Sequence, residues 1–329
     1  MPDAPLSPGL VALHGNRTEW LADAVVDFMA RRPLGPLEPE TVLVQSNGVA
    51  EWFKMALAER VGACAAVQVE LPARYLWRSY RQVLGAEQVP PRSAVDKSAL
   101  VWRLLELLPE LRSEPGYEPV AGFLQGGEPD RAWQLAERLA DLFDQYQVYR
   151  GDWLAEWAEG REQVRSASGA AVDLPSDQRW QARLWRAVLA RLDAPARDAI
   201  RPHIHERALA ALHGGQSPAA PLPRRVVLFG MTHMPLPLLE WVSAVARHAQ
   251  VLLAVPNPCR YHWADAIDGR ELLAAGRCRH PLRGGTDLAR LPIESLHAHA
   301  HPLLAAWGRQ GRDFVRQLDA FDETATAQE

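Results

Sequence analysis

Three things are scarce in this 329-residue sequence, and each scarcity excludes a class of protein. Cysteine occurs three times, as Cys64, Cys259 and Cys278, an odd number with no C-x-x-C pair, so neither a disulfide framework nor a zinc ribbon is indicated. No apolar run approaches the roughly 18 to 20 residues of a membrane span. The opening MPDAPLSPGL has neither the basic stretch nor the apolar core of a secretory leader, so a cytoplasmic protein without membrane contact is expected. Lysine is scarcest: Lys54 and Lys97 are the two lysines among 36 basic residues. A phosphate-cradling P-loop ends in Gly-Lys-Ser/Thr, whereas Lys54 precedes Met55 and Lys97 follows Asp96 with no glycine-rich stretch upstream. The sequence therefore carries no standard ATP site, and G-x-S-x-G, H-E-x-x-H and G-x-G-x-x-G are missing as well.

What is present is the composition of a globular protein, with 48% hydrophobic and 23% charged residues and a net charge of -4. Without a global basic excess, any nucleic-acid site must be a local patch. Leu10 to His14, Thr41 to Gln45 and Ala66 to Val69 read as short buried strands. Between them lie helical patterns, one from Arg17 to Ala30 with Thr18 as its expected cap, one after Ser46-Asn47-Gly48 with Val49, Trp52, Phe53 and Ala56 as its stripe, and one opened by Pro72. From about 92 to 213 the strand signal vanishes and helical patterns occupy 94–108, 131–149, 178–192 and 203–213. After the linker GGQSPAAPLP, Val226 to Gly230 and Val251 to Pro256 read as strands around a helix near Leu236 to His248, and a last helix is expected from Leu303 to Leu318. The pattern predicts an α/β fold with a parallel sheet covered on both faces: residues 1–90 form its first part, 91–214 an all-helical insertion, and 215–329 its return with an irregular C-terminal segment.

In such sheets ligands gather outside the carboxyl ends of the strands. Gln45 and Asn47, Gly230 to His233, and Asn257 to Arg260 fall at three such ends, as one crevice or as ordinary turns. On the helix from Arg131 to Arg150, one face is apolar and the other carries Glu137, Asp141, Asp144 and Gln145, either a solvated face or an array of acceptors for the N–H donors of unpaired guanine and cytosine. Tyr75, Trp77 and Tyr80, with Arg74 and Arg78 interleaved, have the composition of a base-stacking platform or of core packing. The 12 tryptophans are expected to be mostly buried anchors of the helical block. His297, His299 and His301, with Cys278 and His280 upstream, lack a companion pair at zinc spacing and are read as a polar connector, with no metal assigned. The arginines Arg179, Arg183, Arg186 and Arg191 either dock a partner or are solvated.

Several stretches resemble one family, RecC, the gamma subunit of bacterial exodeoxyribonuclease V: LVQSNGVAEWFKMAL (43–57), LPARYLW (71–77), ADLFDQYQVYRGDWLAEW (140–157), WQARLW (180–185), NPCRYHWAD (257–265) and LLAAWGRQGRDF (303–314). The resemblance covers essentially the whole chain, while family members continue well past Glu329, so a fragment or a truncated gene is expected. It implies an inactivated superfamily 1 helicase-like fold and a non-catalytic DNA-binding subunit of the RecBCD helicase-nuclease. Such a subunit would hold a RecB-like beta subunit and a RecD-like alpha subunit, accept duplex DNA ends, and scan the 3'-ended single strand for the Chi sequence. It would act in double-strand break repair by homologous recombination and in degradation of linear DNA. ATP and magnesium would be used by the partner subunits, and no cofactor is implied for this chain. The family's Chi-recognition positions fall on Gln45, Asn47, Glu51, Leu71, Trp77, Asp141, Leu142, Asp144, Gln145, Arg150 and Arg201. Asn47 and Glu51 depart from the Thr and Gln of the family pattern, and a carboxylate in place of an amide loses a donor and gains a charge. Two readings of another class remain: a scaffold that binds partner subunits without reading DNA sequence, and a small-molecule α/β enzyme using the crevice near Asn47 and His233.

Overall fold

Valine and leucine runs flanked by turn residues become strands buried on both faces, and here they do so in one sheet. The computed structural model describes residues 6–126, 129–166, 170–258, 263–265 and 302–322. It divides into an α/β unit (1–76, 222–234 and 238–329) and a helical unit (77–221 with 235–237).

Along the chain, β1 (Gly9–Gly15) and α1 (Thr18–Arg31) are joined by Asn16 and Arg17 alone. Thr18 does not cap α1: it is already the first helical residue, Arg17 holds the extended cap position, and no side chain bonds there. β2 (Glu40–Val44) leads into α2 (Asn47–Val61), whose first turn is capped by Ser46 Oγ accepting the Val49 N–H at 3.3 Å. Gly62, at φ +88°, closes that helix in the left-handed conformation that glycine adopts without strain. β3 (Val67–Glu70) and α3 (Pro72–Leu84) follow. The helical unit adds α4 (Lys97–Leu111), α5 (Glu118–Phe123), α6 (Pro129–Tyr149), α7 (Gly151–Ala158), α8 (Arg179–Ala190), α9 (Ala194–Asp198) and α10 (Arg201–His213). It is not purely helical, because β4 (Gln163–Arg165) and β5 (Ala171–Asp173) pair as a short antiparallel ribbon; three-residue strands are too brief to carry a periodic signal. The chain returns through β6 (Arg225–Phe229), α11 (Leu236–Val245), β7 (Gln250–Pro256), a 3-10 turn at Trp263–Asp265, α12 (Pro302–Trp307) and α13 (Arg309–Asp322). The single last helix expected from the sequence is therefore two, broken at Gly308. A side chain there would stand 2.6 Å from the Leu304 carbonyl oxygen and 2.8 Å from the Trp263 ring.

The sheet order is β1-β7-β6-β2-β3, and every pairing is parallel. β2 and β6 are buried throughout and β7 up to Val255, which explains their unbroken apolar runs. Val42, Val44, Val227, Phe229, Leu252 and Ala254 face one way and pack against Leu21, Val25 and Met29 of α1 and Ala50 and Phe53 of α2. The alternate residues Leu43, Leu228 and Leu253 are as deeply buried on the other face. At the amino ends of β6, β2 and β7, Arg225 is wholly buried and meets Glu40 Oε1 at 2.5 Å, Gln250 Oε1 at 2.8 Å and the Arg32 carbonyl at 2.5 Å.

In the helical unit, Leu100, Leu104 and Leu108 of α4 meet Ala136, Leu139, Ala140 and Phe143 of α6, with Trp157 and Trp185 filling the centre. Phe143 and Trp185 stand 5.4 Å apart by ring centroids. The tryptophans are not mostly buried. Trp157 and Trp185 are, but Trp102 and Trp133 are exposed and Trp77, Trp153 and Trp180 are half-buried. Composition counts ring area and does not distinguish the inward face of a helix from its outward face.

Candidate functional site

Within the α/β unit the connections leaving β2 and β6, neighbours in the sheet, run to opposite sides: β2 continues to β3 and β6 to β7. Such a point of divergence opens a crevice at the carboxyl ends of the two strands. Gln45, just past β2, extends its amide across that gap. Its Nε2 lies 3.2 Å from Thr232 Oγ1 and 3.2 Å from His233 Nδ1, in the loop after β6. The turn is made by Gly230 at φ +70°. Beside it, Asn47 and Gly48 are exposed in the first turn of the 15-residue α2, where backbone N–H groups favour an anion. Glu51 is exposed one turn on, with Lys54 Nζ at 2.8 Å. Leu71 is half-buried, and its carbonyl accepts the Arg74 and Tyr75 N–H groups. Two of the three expected loops therefore meet. Of the third, Asn257 donates its backbone N–H to the Gly15 carbonyl at the end of β1, at 2.8 Å. Cys259 and Arg260 lie outside the described residues, as do Cys278, His280, His297, His299 and His301.

Within the helical unit the polar face of α6 is flanked by cations from two other helices. Lys97 Nζ, at the start of α4, stands 2.5 Å from Asp141. That contact, with Glu137 and Asp144 nearby, raises the lysine's pKa above its ordinary value. Arg201, the first residue of α10, places Nη1 3.0 Å from Asp144 and Nη2 2.8 Å from Asp96. The repulsion expected between Asp141 and Asp144 is thus relieved by two cations that no sequence pattern assigns to them. Gln145 is exposed and Leu142 half-buried on the same helix. Arg150 is held bidentately by Asp152, at 3.0 and 2.7 Å, while it donates to the Arg165 carbonyl at 2.5 Å and lies 4.0 Å over the Trp153 ring.

Trp77 is half-buried, and its indole N–H donates to the Pro90 carbonyl at 3.0 Å. Tyr75 and Tyr80 are buried, so core packing describes them and no open stacking platform exists there. The four arginines noted on the sequence have partners inside the unit: Arg183 and Arg186 bond Glu162 at 2.9 and 3.0 Å, Arg179 lies 3.9 Å from it, and Arg191 pairs with Glu110 at 2.6 Å. Among the described residues, no group of three or more metal-ligating side chains converges, and no helix is long and apolar enough to cross a membrane.

Of the eleven carried-over positions, Gln45, Asn47, Glu51 and Leu71 thus belong to the α/β unit, and the other seven to the helical unit. None is fully buried. Sequence reasoning missed Lys97 and Asp96 as partners, and also a cleft of about 560 Å3 lined by His233, Met234, Trp307, Arg309, Gln310, Asp313, Phe314 and Gln317.

Residues 10–329 match the model of the RecC N-terminal domain. The RecBCD enzyme subunit RecC of Escherichia coli K12 is 33% identical over 334 aligned positions, which cover 94% of this chain and 29% of that protein. The same subunit of Haemophilus influenzae is 29% identical, over 88% of this chain and 28% of that protein. That of Mycolicibacterium smegmatis is 32% identical, over 94% and 25%. The chain spans less than a third of the length of these curated relatives. By the match along nearly all of its length, the chain belongs to the RecC family and corresponds to its N-terminal domain.

Proposed function

We propose that this chain is the N-terminal part of a RecC-type subunit that works without catalysing a reaction itself. In a RecBCD-like complex with RecB-like and RecD-like subunits, it contacts the 3'-ended strand of unwound DNA and reads Chi. The observation that carries this reading is the polar face of α6, where Asp141 and Gln145 offer acceptors at the surface beside the partly buried Asp144, whose Oδ1 faces Arg201. Carboxylates accept from guanine and cytosine amino groups, and an arginine forks to guanine or phosphate. The existing ion pairs do not forbid this. Partly exposed pairs are worth about 0–1 kcal/mol, less than the roughly 1–3 kcal/mol of a good base-edge contact, so a correctly placed base displaces or shares the cation.

Two further features support the reading. The parallel sheet with its divergence point at Gln45 suits a helicase-like ancestry, and the two-residue connection Asn16-Arg17 between β1 and α1 is shorter than a phosphate-wrapping loop requires. The departures at Asn47 and Glu51 sit in the exposed first turns of α2, so they alter the edge presented to a strand while leaving the core as it is.

The test is the cleavage pattern of end-labelled linear duplex, with and without Chi, by the full-length protein assembled with its partner subunits and ATP. A Chi-dependent fragment that weakens in Asp144→Ala, with unwinding retained, is the expected result. Processive degradation that ignores every G-rich site would leave the chain as a scaffold without sequence reading.

A further inference from the structure

The cleft beside the divergence point has a composition the strand-reading positions do not use. Its apolar lining includes Met234 and Phe314, both buried. On one wall Trp307 ends α12 with 81% of its surface exposed, unusual for so large an apolar ring. Immediately after it, α13 begins at Arg309, which lines the same cleft, and runs for 14 residues. Gln310, exposed, and Gln317, half-buried, also line the cleft. His233 lines it too, and its Nδ1 is the atom 3.2 Å from Gln45 Nε2.

An exposed indole, two amides with donors and acceptors, an arginine, and Asp313 with its charge met by Arg312 and Arg316, in about 560 Å3, suit one nucleotide: a flat base to stack, polar edges to bond, and a phosphate beside Arg309. We propose that this cleft binds one nucleotide of a single strand, independently of its base, as a stacking position next to Gln45. The proposal rests on the strand-contact reading above and extends it to a position that holds the strand without reading sequence. Amides satisfy any base edge and an indole stacks on any π-face, so affinity here is expected to be tolerant of sequence. The acceptor face of α6, rich in carboxylates, discriminates by comparison.

The experiment uses the full-length protein in its complex and measures binding of a fluorescein-labelled oligothymidylate of about 20 nucleotides by anisotropy. Trp307→Ala is expected to weaken binding about 5- to 150-fold, Trp307→Phe to restore most of the loss, and Trp102→Ala, an exposed tryptophan of the helical unit, to change nothing. Gln310→Ala serves as a second variant that leaves the ring in place, with a smaller loss expected. Photocrosslinking with 5-iododeoxyuridine in the strand should label the peptide containing Trp307. Unchanged affinity in Trp307→Ala and Gln310→Ala, with crosslinks only elsewhere, would overturn the cleft and leave the Chi reading intact. Failure of the unaltered complex to bind any oligonucleotide would overturn both. Saturation of the cleft by free ATP, with strand affinity unaffected, would overturn the strand assignment in favour of a mononucleotide.

Discussion

In the α/β unit Glu40 meets an arginine, Arg225, that is wholly buried, whereas in the helical unit Glu156, as little exposed as Glu40, and Glu162 meet arginines that remain about a third to a half exposed. The difference appears in the carboxylates. Burial pushes the Glu40 pKa up despite Arg225, and its Oε2 is buried with no hydrogen-bond partner. Hydrogen bonds from Arg161 and Arg165 hold Glu156 below its ordinary value, and those from Arg183 and Arg186 do the same for Glu162. A carboxylate whose arginine is sealed under a sheet depends on that one partner; a carboxylate whose arginines reach water shares them with solvent.

The largest effect should come from breaking the sealed pair. Glu40→Ala leaves the wholly buried Arg225 without its counter-charge, and such losses typically amount to about 3–5 kcal/mol. Denaturant unfolding of the variant should show that loss, and the double replacement Glu40→Leu with Arg225→Met should recover much of it. If Glu40→Ala unfolds at the wild-type midpoint, the contrast between sealed and open charge fails.

The same contrast explains what the sequence made legible. β2, β6 and β7 announced themselves because strands buried on both faces must be continuously apolar, and the neighbouring Gln45 and GMTH loops followed from strand ends alone. Asp141 and Asp144 were readable as neighbours because i and i+3 share a helix face. Their cations were not, since Lys97 lies 44 positions before Asp141 and Arg201 57 positions after Asp144, separations that no periodicity reports. The cleft at Trp307 was hidden for a related reason: it joins the end of α12 and the start of α13 to the loop after β6, more than 70 positions earlier, and one glycine inside an amphipathic pattern reads as an imperfect helix.

A middle-sized effect is expected from the open charges, on function and not on stability. If the proposed Chi reading holds, Asp144→Ala removes roughly 1–3 kcal/mol of base discrimination, seen as a drop in the Chi-dependent fragment at unchanged unwinding. Loss of subunit assembly in that variant would assign Asp144 and Arg201 to structure instead.

Acid should separate the two units by sign. Glu156 and Glu162 have folded pKa values below the ordinary 4.5, so their contribution is present above that value and is lost as pH falls through the folded pKa. Glu40 has a raised folded pKa, so the folded form binds the extra proton and the contribution declines as pH rises from about 4.5 through that value. Hydrogen exchange, corrected for intrinsic rates, should show β2 and β6 better protected on mild acidification and the β4–β5 ribbon less protected below about pH 4.5. A common direction in both units would contradict the opposed pKa shifts.

The smallest effect sharpens the comparison most. Lys97→Met removes the cation from Asp141 at a site where lysine and aspartate are about half exposed, 51% and 45%, so the unfolding midpoint should barely move. On the proposed strand contact, the freed carboxylate is then a better acceptor for a base amino group, while the face meets the negative strand with one positive charge fewer. Sequence discrimination should therefore rise while overall affinity falls and its salt dependence flattens by about one counterion. Titrating Chi-containing and Chi-free single strands at two salt concentrations measures the two effects separately. Equal losses for both strands would make Lys97 a phosphate contact alone, and a large loss of stability would move this pair from the open class of charges to the sealed one.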